Sequence, residues 1–307
     1  MRRPDFFFVG HPRSGSGRLD GYLQGHPDIF MAPKELHFFG SDLEYNEPPR
    51  TLDNYLGQFS GAAGQRRVGE ASTWYLASVR AAAEMHDFAP EARILVLLRN
   101  PVDWLHSLHS HMVFAAYEDI TDFSAAIAAE PDRLAGRRLP PSWSIPRGGT
   151  LYKSLVDYAA QVQRFYDAFG REQVKVIVFD DFRDQPEQTL DDVLRFLDVQ
   201  VDFPGRDTVL QSSQRSTNSN RMPRSRRLQA WLKKPPRRAL LQDLVDDPFP
   251  GAKLLVRGLR RANINYTPRA SMPPELRAEL VDAFIPRVEA LEALLGRSLP
   301  RWKTPTR

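Results

Sequence analysis

Residues 5–24 read DFFFVGHPRSGSGRLDGYLQ. Asp5 to Val9 is a short apolar run stopped by Gly10, the pattern of a buried strand, and Ser16 to Gln24 has the spacing of a helix that follows it. The stretch therefore predicts strand, turn and helix. In the turn, Gly10, Gly15 and Gly17 let backbone N–H groups converge on an anion, and the helix adds the positive end of its dipole. The pattern opens like a GxxxxG phosphate loop, but Ser16-Gly17 stands where Lys and Ser or Thr would follow. ATP hydrolysis lacks its expected lysine, and Arg13 is the cation within the loop.

Outward from this turn, strand and helix patterns alternate. Arg67 to Glu70 reads as a second strand and Leu76 to His86 as a helix. ARILVLLRNP (92–101) is a buried strand, with Pro101 placed to begin a helix. TLYKSLVDYAAQVQRFYDAFG (150–170) has helical spacing, VKVIVFD (174–180) is a strand, and PEQTLDDVLRFLDV (186–199) is another helix. PPELRAELVDAFIPRVEALEALLG (273–296) reads as one or two closing helices, with Pro286 expected to break them apart. The alternation predicts an α/β fold: three layers, a parallel sheet flanked by helices, with ligands gathering at the carboxyl ends of the strands.

The 307 residues are 42% hydrophobic and 26% charged, which suits a packed globular protein. With no cysteine, disulfides, thiolate metal sites and cysteine nucleophiles are excluded. The longest purely aliphatic run, Ile94 to Leu98, is far short of the roughly 20 residues of a membrane span. No signal-peptide core follows the amino terminus. A cytoplasmic protein without membrane insertion is expected. Of 42 basic residues only seven are lysine, and arginine forms planar, bidentate contacts with phosphate and sulfate.

Arg99 ends the buried strand, and Ser107 lies about two helical turns on, near enough for both to hold one phosphate. His106, His109 and His111 do not converge at ligand spacing, so no metal site is expected. One of these histidines is expected at the acceptor pocket.

In order, Pro-Arg-Ser-Gly-Ser (12–16), Lys-Glu-x-His-Phe-Phe (34–39), Arg-Asn-Pro (99–101) and Ser107 resemble the sulfotransferases that use 3′-phosphoadenosine 5′-phosphosulfate (PAPS). Residues 148–199 resemble that family's middle section and LEALLGRSLPRW (291–302) its carboxyl end. The resemblance implies a P-loop NTPase-like sulfotransferase fold, one domain over residues 1–307, PAPS as donor with 3′,5′-bisphosphate PAP as product, and no metal. It assigns the 5′ phosphosulfate to Arg13, Ser14, Gly15, Ser16 and Gly17, and the 3′-phosphate to Arg99 and Ser107. Arg269, Arg215 and Arg221 offer a further anchor. The chain departs from the family in carrying Arg13 for a common lysine, Gly17 for a second hydroxyl, and Trp104 for a frequent basic residue.

The same resemblance points to Glu35 as the base that takes the acceptor's proton, with His37 orienting the acceptor or serving as the base instead. Lys34 and Arg13 would offset charge on the bridging oxygen. Phe38 and Phe39 read as packing residues. Ser72, Thr73, Trp74 and Tyr75 border the adenosine or the acceptor. Heparan-type relatives tend to carry a lysine near Ala71 or Ser72, so a small-molecule or lipid-like hydroxyl acceptor is expected over a glycosaminoglycan. Eight basic residues fall between Arg221 and Arg238, with Trp231 among them; they read as a solvated helix or, within 211–240, as a lid. No nucleic-acid partner is expected, and a homo-oligomer stays open. The rival readings are a nucleotide kinase or NTPase and a non-enzymatic nucleotide- or nucleic-acid-binding module.

Overall fold

The computed structural model describes residues 2–45, 50–140, 145–214, 221–233, 258–259, 261–266 and 271–305. Strands β1 (Phe6–Gly10), β2 (Ile29–Met31), β3 (Arg67–Ala71), β4 (Arg93–Leu98) and β5 (Val174–Val178) form one sheet in the order β2-β3-β1-β4-β5. Every neighbouring pair is parallel. β1 lies at the centre, with Phe7 opposite Glu70 of β3 on one side and Ile94 of β4 on the other.

Alternation along the central strands separates two cores. Phe7, Val9, Ile94, Val96 and Leu98 face one layer, built from α3 (Ala81–Phe88), α4 (Pro101–Ala115), helix Tyr158–Phe169 and helix Pro274–Leu295. Phe6, Phe8, Leu95 and Leu97 face the other, with Leu19, Tyr22 and Leu23 of α1 (Ser16–Gln24) and Leu190, Val193 and Leu194 of helix Pro186–Phe196. Sheet burial on both faces explains why β1 and β4 read as continuous apolar runs.

Local chemistry sets the helix starts. Asn100 caps α4 by accepting from the N–H groups of Val102 (3.0 Å) and Asp103 (3.3 Å), and Pro101 occupies the first turn, where no N–H is needed. Three sequence expectations change. Leu76 to His86 is not one helix: a 3-10 turn at Tyr75–Ala77 ends at Ser78, whose hydroxyl then accepts from Ala81 N–H at 2.8 Å to start α3. Pro286 does not break the closing segment, since one helix runs from Pro274 to Leu295. Burial of Leu280, Val281, Phe284, Val288 and Leu291 along one face offsets the hydrogen bond that proline removes. The helical spacing over 150–170 becomes α-helix only at Tyr158–Phe169, after a 3-10 turn at Arg147–Thr150; the short edge strand β2 had no distinct pattern in the sequence.

The expected covering segment 211–240 is described at 211–214 and 221–233. There, Arg221–Pro223 pairs antiparallel with Ile264–Tyr266, and helix Arg226–Lys233 follows, with Arg226 donating to the Asp119 carbonyl at 2.8 Å. Arg215 and Arg269 lie outside the described residues.

Packing leaves no room beside Gly69 on β3, because a Cβ there would sit 2.1 Å from the Phe6 ring. Gly69→Ala is expected to destabilise the protein by about 1–3 kcal/mol through overpacking, read as a lower urea midpoint at an unchanged m-value.

Candidate active site

The turn after β1 is held from the β4 side. His11 N–H donates to the Leu97 carbonyl (2.9 Å), Trp104 Nε1–H to the Pro12 carbonyl (2.6 Å), and Arg99 Nη1 to the Arg13 carbonyl (3.2 Å). Arg13 (φ 66°) and Gly15 (φ 97°) take the left-handed backbone that bends the chain into α1. Trp104 supplies no charge of its own; it anchors the turn instead. Arg99 also lies over the Phe179 ring at 4.9 Å. Arg99, expected at the far end of the nucleotide from Arg13, is thus bonded to the Arg13 backbone.

Other turn residues differ in exposure. Ser14 is fully buried and its hydroxyl has no hydrogen-bond partner, Ser16 is buried, and a side chain at Gly17 would meet nothing within 4 Å. A buried hydroxyl without a partner is costly, and a bound anion would satisfy it. Ser107 is buried on α4. The ring of His11 sits between Trp104 (4.5 Å) and Tyr158 (5.1 Å), with Nε2 2.7 Å from Gln161 Oε1. Burial pushes the His11 imidazole down to about 3, so it is neutral and holds the turn by shape and hydrogen bonding. His11 and Gln161 carried no motif in the sequence, and their partnership spans 150 residues.

Lys34 to Phe39 form the loop beyond β2. Glu35 N–H donates to the Ala71 carbonyl at 2.8 Å, which seats the loop on the end of β3. Its carboxylate accepts from Thr73 Oγ1 (2.8 Å) and Thr73 N–H (3.2 Å), and His37 Nε2 lies 3.5 Å away. The other ring nitrogen of His37 is 3.0 Å from the Tyr45 hydroxyl, with the two rings stacked at 4.4 Å. Arg50 donates to the Leu36 carbonyl at 2.7 Å. Both Glu35 (φ 61°) and His37 (φ 52°) have left-handed backbones.

The Glu35 side chain is 37% exposed and otherwise covered by protein. This burial raises the carboxyl above its ordinary range, opposed by Thr73 and by the charge of Lys34. Asp20 of α1, itself raised by burial, feels the charge of Lys34 as well. Of the expected residues, the structure gathers Glu35 with His37, and Arg13 with Arg99. Thr73 and Tyr45 emerge as the partners that orient the first pair.

A cavity of 430 Å³ opens beside Trp74, lined by Leu43, Ala77, Leu139, Leu151 and Leu155, with Asp42 and Glu44 contributing carboxylates. None of the three α4 histidines lines it. His106 and His109 instead pack on Phe123, and His109 Nε2 lies 2.8 Å from the Ile120 carbonyl. Among the described residues, no group of three or more His, Asp or Glu side chains is placed to hold a metal ion, and no helix is long and apolar enough to cross a membrane.

A family model for the sulfotransferase domain matches residues 3–234. A sulfotransferase crystal structure from Alicyclobacillus acidocaldarius is 32% identical with a TM-score of 0.71, covering 99% of this chain and 100% of that one. The membrane-associated sulfotransferase kil1 of Dictyostelium discoideum is 31% identical over 101 residues, covering 33% of this chain and 21% of that protein. Human bifunctional heparan sulfate N-deacetylase/N-sulfotransferase 3 is 26% identical over 215 residues, covering 64% of this chain and 22% of that protein. The chain spans about a fifth of the length of these two curated relatives.

Trp104→Phe would leave the part-buried Pro12 carbonyl without its donor. A stability loss of about 1–3 kcal/mol is expected, checked by equilibrium urea unfolding.

Proposed function

The chain belongs to the sulfotransferase domain family, and we propose that it moves a sulfuryl group from PAPS to a hydroxyl of a small-molecule or lipid-like acceptor. The observation that carries this reading is the buried Ser14 hydroxyl without a hydrogen-bond partner in the glycine turn that opens α1, a turn held from β4 by the bond of Arg99 to the Arg13 carbonyl. The residues present fit the donor: a glycine turn at a helix N-terminus, a buried Ser14 hydroxyl awaiting a partner, and arginines suited to oxyanions. Arg13, Ser14, Gly15, Ser16 and Gly17 would hold the 5′ phosphosulfate, and Arg99 and Ser107 the 3′-phosphate. Arg269 remains a candidate further anchor.

When bound, PAPS supplies an activated sulfuryl group on a phosphate leaving group. Glu35 takes the proton of the acceptor hydroxyl while that oxygen bonds to sulfur and the bond from sulfur to the phosphate oxygen breaks. Lys34 and Arg13 offset the charge that remains on the leaving oxygen. Thr73 aims the carboxylate, and His37 orients the acceptor. The chemistry asks the protein for positioning and charge neutralisation, with no metal in any step.

The cavity beside Trp74 supports a small acceptor, since its volume suits a drug-sized molecule and most of its lining residues are apolar. The family match favours this reading over a nucleotide kinase and over a non-enzymatic binding module. On this reading residues 1–307 act as one domain, and the described residues of 211–240 would serve as its lid.

Titration with PAP in the absence of metal is expected to raise the melting temperature strongly, whereas ATP with magnesium or a short oligonucleotide should not. A response led by either of those two ligands would overturn the proposal. Arg99→Ala should weaken PAP far more than adenosine 5′-phosphosulfate, which lacks the 3′ group.

Glu35→Gln is expected to cut turnover about a hundredfold or more while PAP binding stays nearly intact. The base must be ionised to act, and burial raises Glu35. Activity should therefore climb with pH through a midpoint above the usual glutamate range, and that limb should disappear in the variant. Wild-type turnover by Glu35→Gln, measured with a labelled donor across hydroxyl and amine acceptors, would transfer the base role to His37.

A further inference from the structure

Glu70, on β3, is fully buried and touches none of the groups assigned above to proton removal or anion binding. Its Oε1 accepts from the hydroxyls of Ser72 (2.5 Å) and Tyr75 (2.9 Å), and its Oε2 from the hydroxyl of Tyr55 (2.8 Å). Two of these hydroxyls accept in turn from the Lys34–Phe39 loop. Ser72 Oγ receives His37 N–H at 3.1 Å, and the Tyr75 oxygen receives Phe38 N–H at 2.8 Å and Phe39 N–H at 3.3 Å. Tyr55 contributes its ring, stacked on Phe38 at 4.1 Å with planes 9° apart. Three successive amides thus reach one carboxylate through a single layer of hydroxyls.

An ionised carboxylate only accepts, whereas a hydroxyl can donate or accept. The acid therefore compels Ser72 and Tyr75 to donate inward, which turns their lone pairs toward the loop. That orientation matters because Glu35 and His37 hold left-handed backbones, each a conformation of about 1–3 kcal/mol that persists only where surrounding contacts over-determine it. Burial lifts Glu70 to about 7, and the bonds from Ser72, Tyr55 and Tyr75 work against that rise.

We propose that Glu70 is a positioning residue of the active site: by orienting the hydroxyls of Ser72 and Tyr75 it holds the backbone of residues 37–39, and with it the Glu35–His37 pair, in the geometry that proton removal needs. This rests on the reading of Glu35 as the base. The hydrogen bonds of Glu70 lead to the loop, whereas the turn at His11, Pro12 and Arg13 is fastened separately by Leu97, Trp104 and Arg99.

The test compares Glu70→Leu, Glu70→Gln, Tyr75→Phe and Ser72→Ala by amide hydrogen exchange, PAP affinity and steady-state kinetics. Glu70→Leu and Tyr75→Phe should lose about tenfold or more in exchange protection at Phe38 and Phe39 and in kcat, the scale of one lost buried hydrogen bond. PAP affinity should stay within about twofold, and protection in β1 and β4 should hold. Ser72→Ala should expose the His37 amide alone. Glu70→Gln should recover most of the loss, because its carbonyl oxygen can still accept from both hydroxyls while its amide faces Tyr55.

Unchanged protection at residues 37–39 in Tyr75→Phe would overturn the proposal, and so would PAP affinity falling in step with kcat. Should Glu70→Leu fail to fold, Tyr75→Phe and Ser72→Ala decide the matter. If the wild-type protein transfers no sulfuryl group, the functional reading fails, yet the exchange data still report whether Glu70 holds the loop.

Discussion

The joint between β1 and β4 is the constraint on which the site depends. Three successive residues of the glycine turn, His11, Pro12 and Arg13, are bonded to Leu97, Trp104 and Arg99. Each bond removes a backbone group that would otherwise need water inside a protein core. Two of them engage carbonyl oxygens, so atoms that would repel an anion are aimed at donors. The remaining turn, from Ser14 to Gly17, then presents a buried hydroxyl and the start of α1 to the cleft. Parallel pairing matters here because it places the ends of β1, β3 and β4 side by side, where polar loops can meet above an apolar sheet.

A second set of bonds rises from β3. Glu70 supports the hydroxyls of Ser72 and Tyr75, these support the amides of residues 37–39, and Thr73 grips the Glu35 carboxylate from the same connection. The strand-end segment 70–75 thus serves the loop as a splint. Side-chain bonds to backbone suit this task better than packing alone, since they hold residues in left-handed conformations that no apolar contact would specify. The two halves of the cleft are fastened separately, one through β4 and one through β3. Asp20 of α1 feels the charge of Lys34 from the loop.

Much of this was legible in advance because period and punctuation are local properties. The apolar runs of β1 and β4, the helix after Ser16 and the helix start at Pro101 all depend on near neighbours, and all formed as expected. Local rules misled where distant contacts outweighed them. Proline alone would end a helix at 286, but packing of Phe284, Val288 and Leu291 carries it on to Leu295. Strand β2 has only three residues and exists because β3 offers it an edge. Trp104 looked like a missing cation, and its indole N–H proved to be an anchor for Pro12.

From the sequence alone came the strand-turn-helix unit, the glycine turn, and a short list of charged residues of the right chemistry: Arg13, Lys34, Glu35, His37 and Arg99. Their selection rests on residue type and on the resemblance of their motifs to those of the sulfotransferases. Only the tertiary structure decided which of them meet, since the bond of Arg99 to Arg13 spans 86 residues and that of Thr73 to Glu35 spans 38. Only it disclosed Glu70 as the support beneath the loop, because a lone acid in an apolar strand has no pattern of its own. Its meaning lies in three hydroxyls brought to it from separate positions, and burial makes each of those bonds necessary.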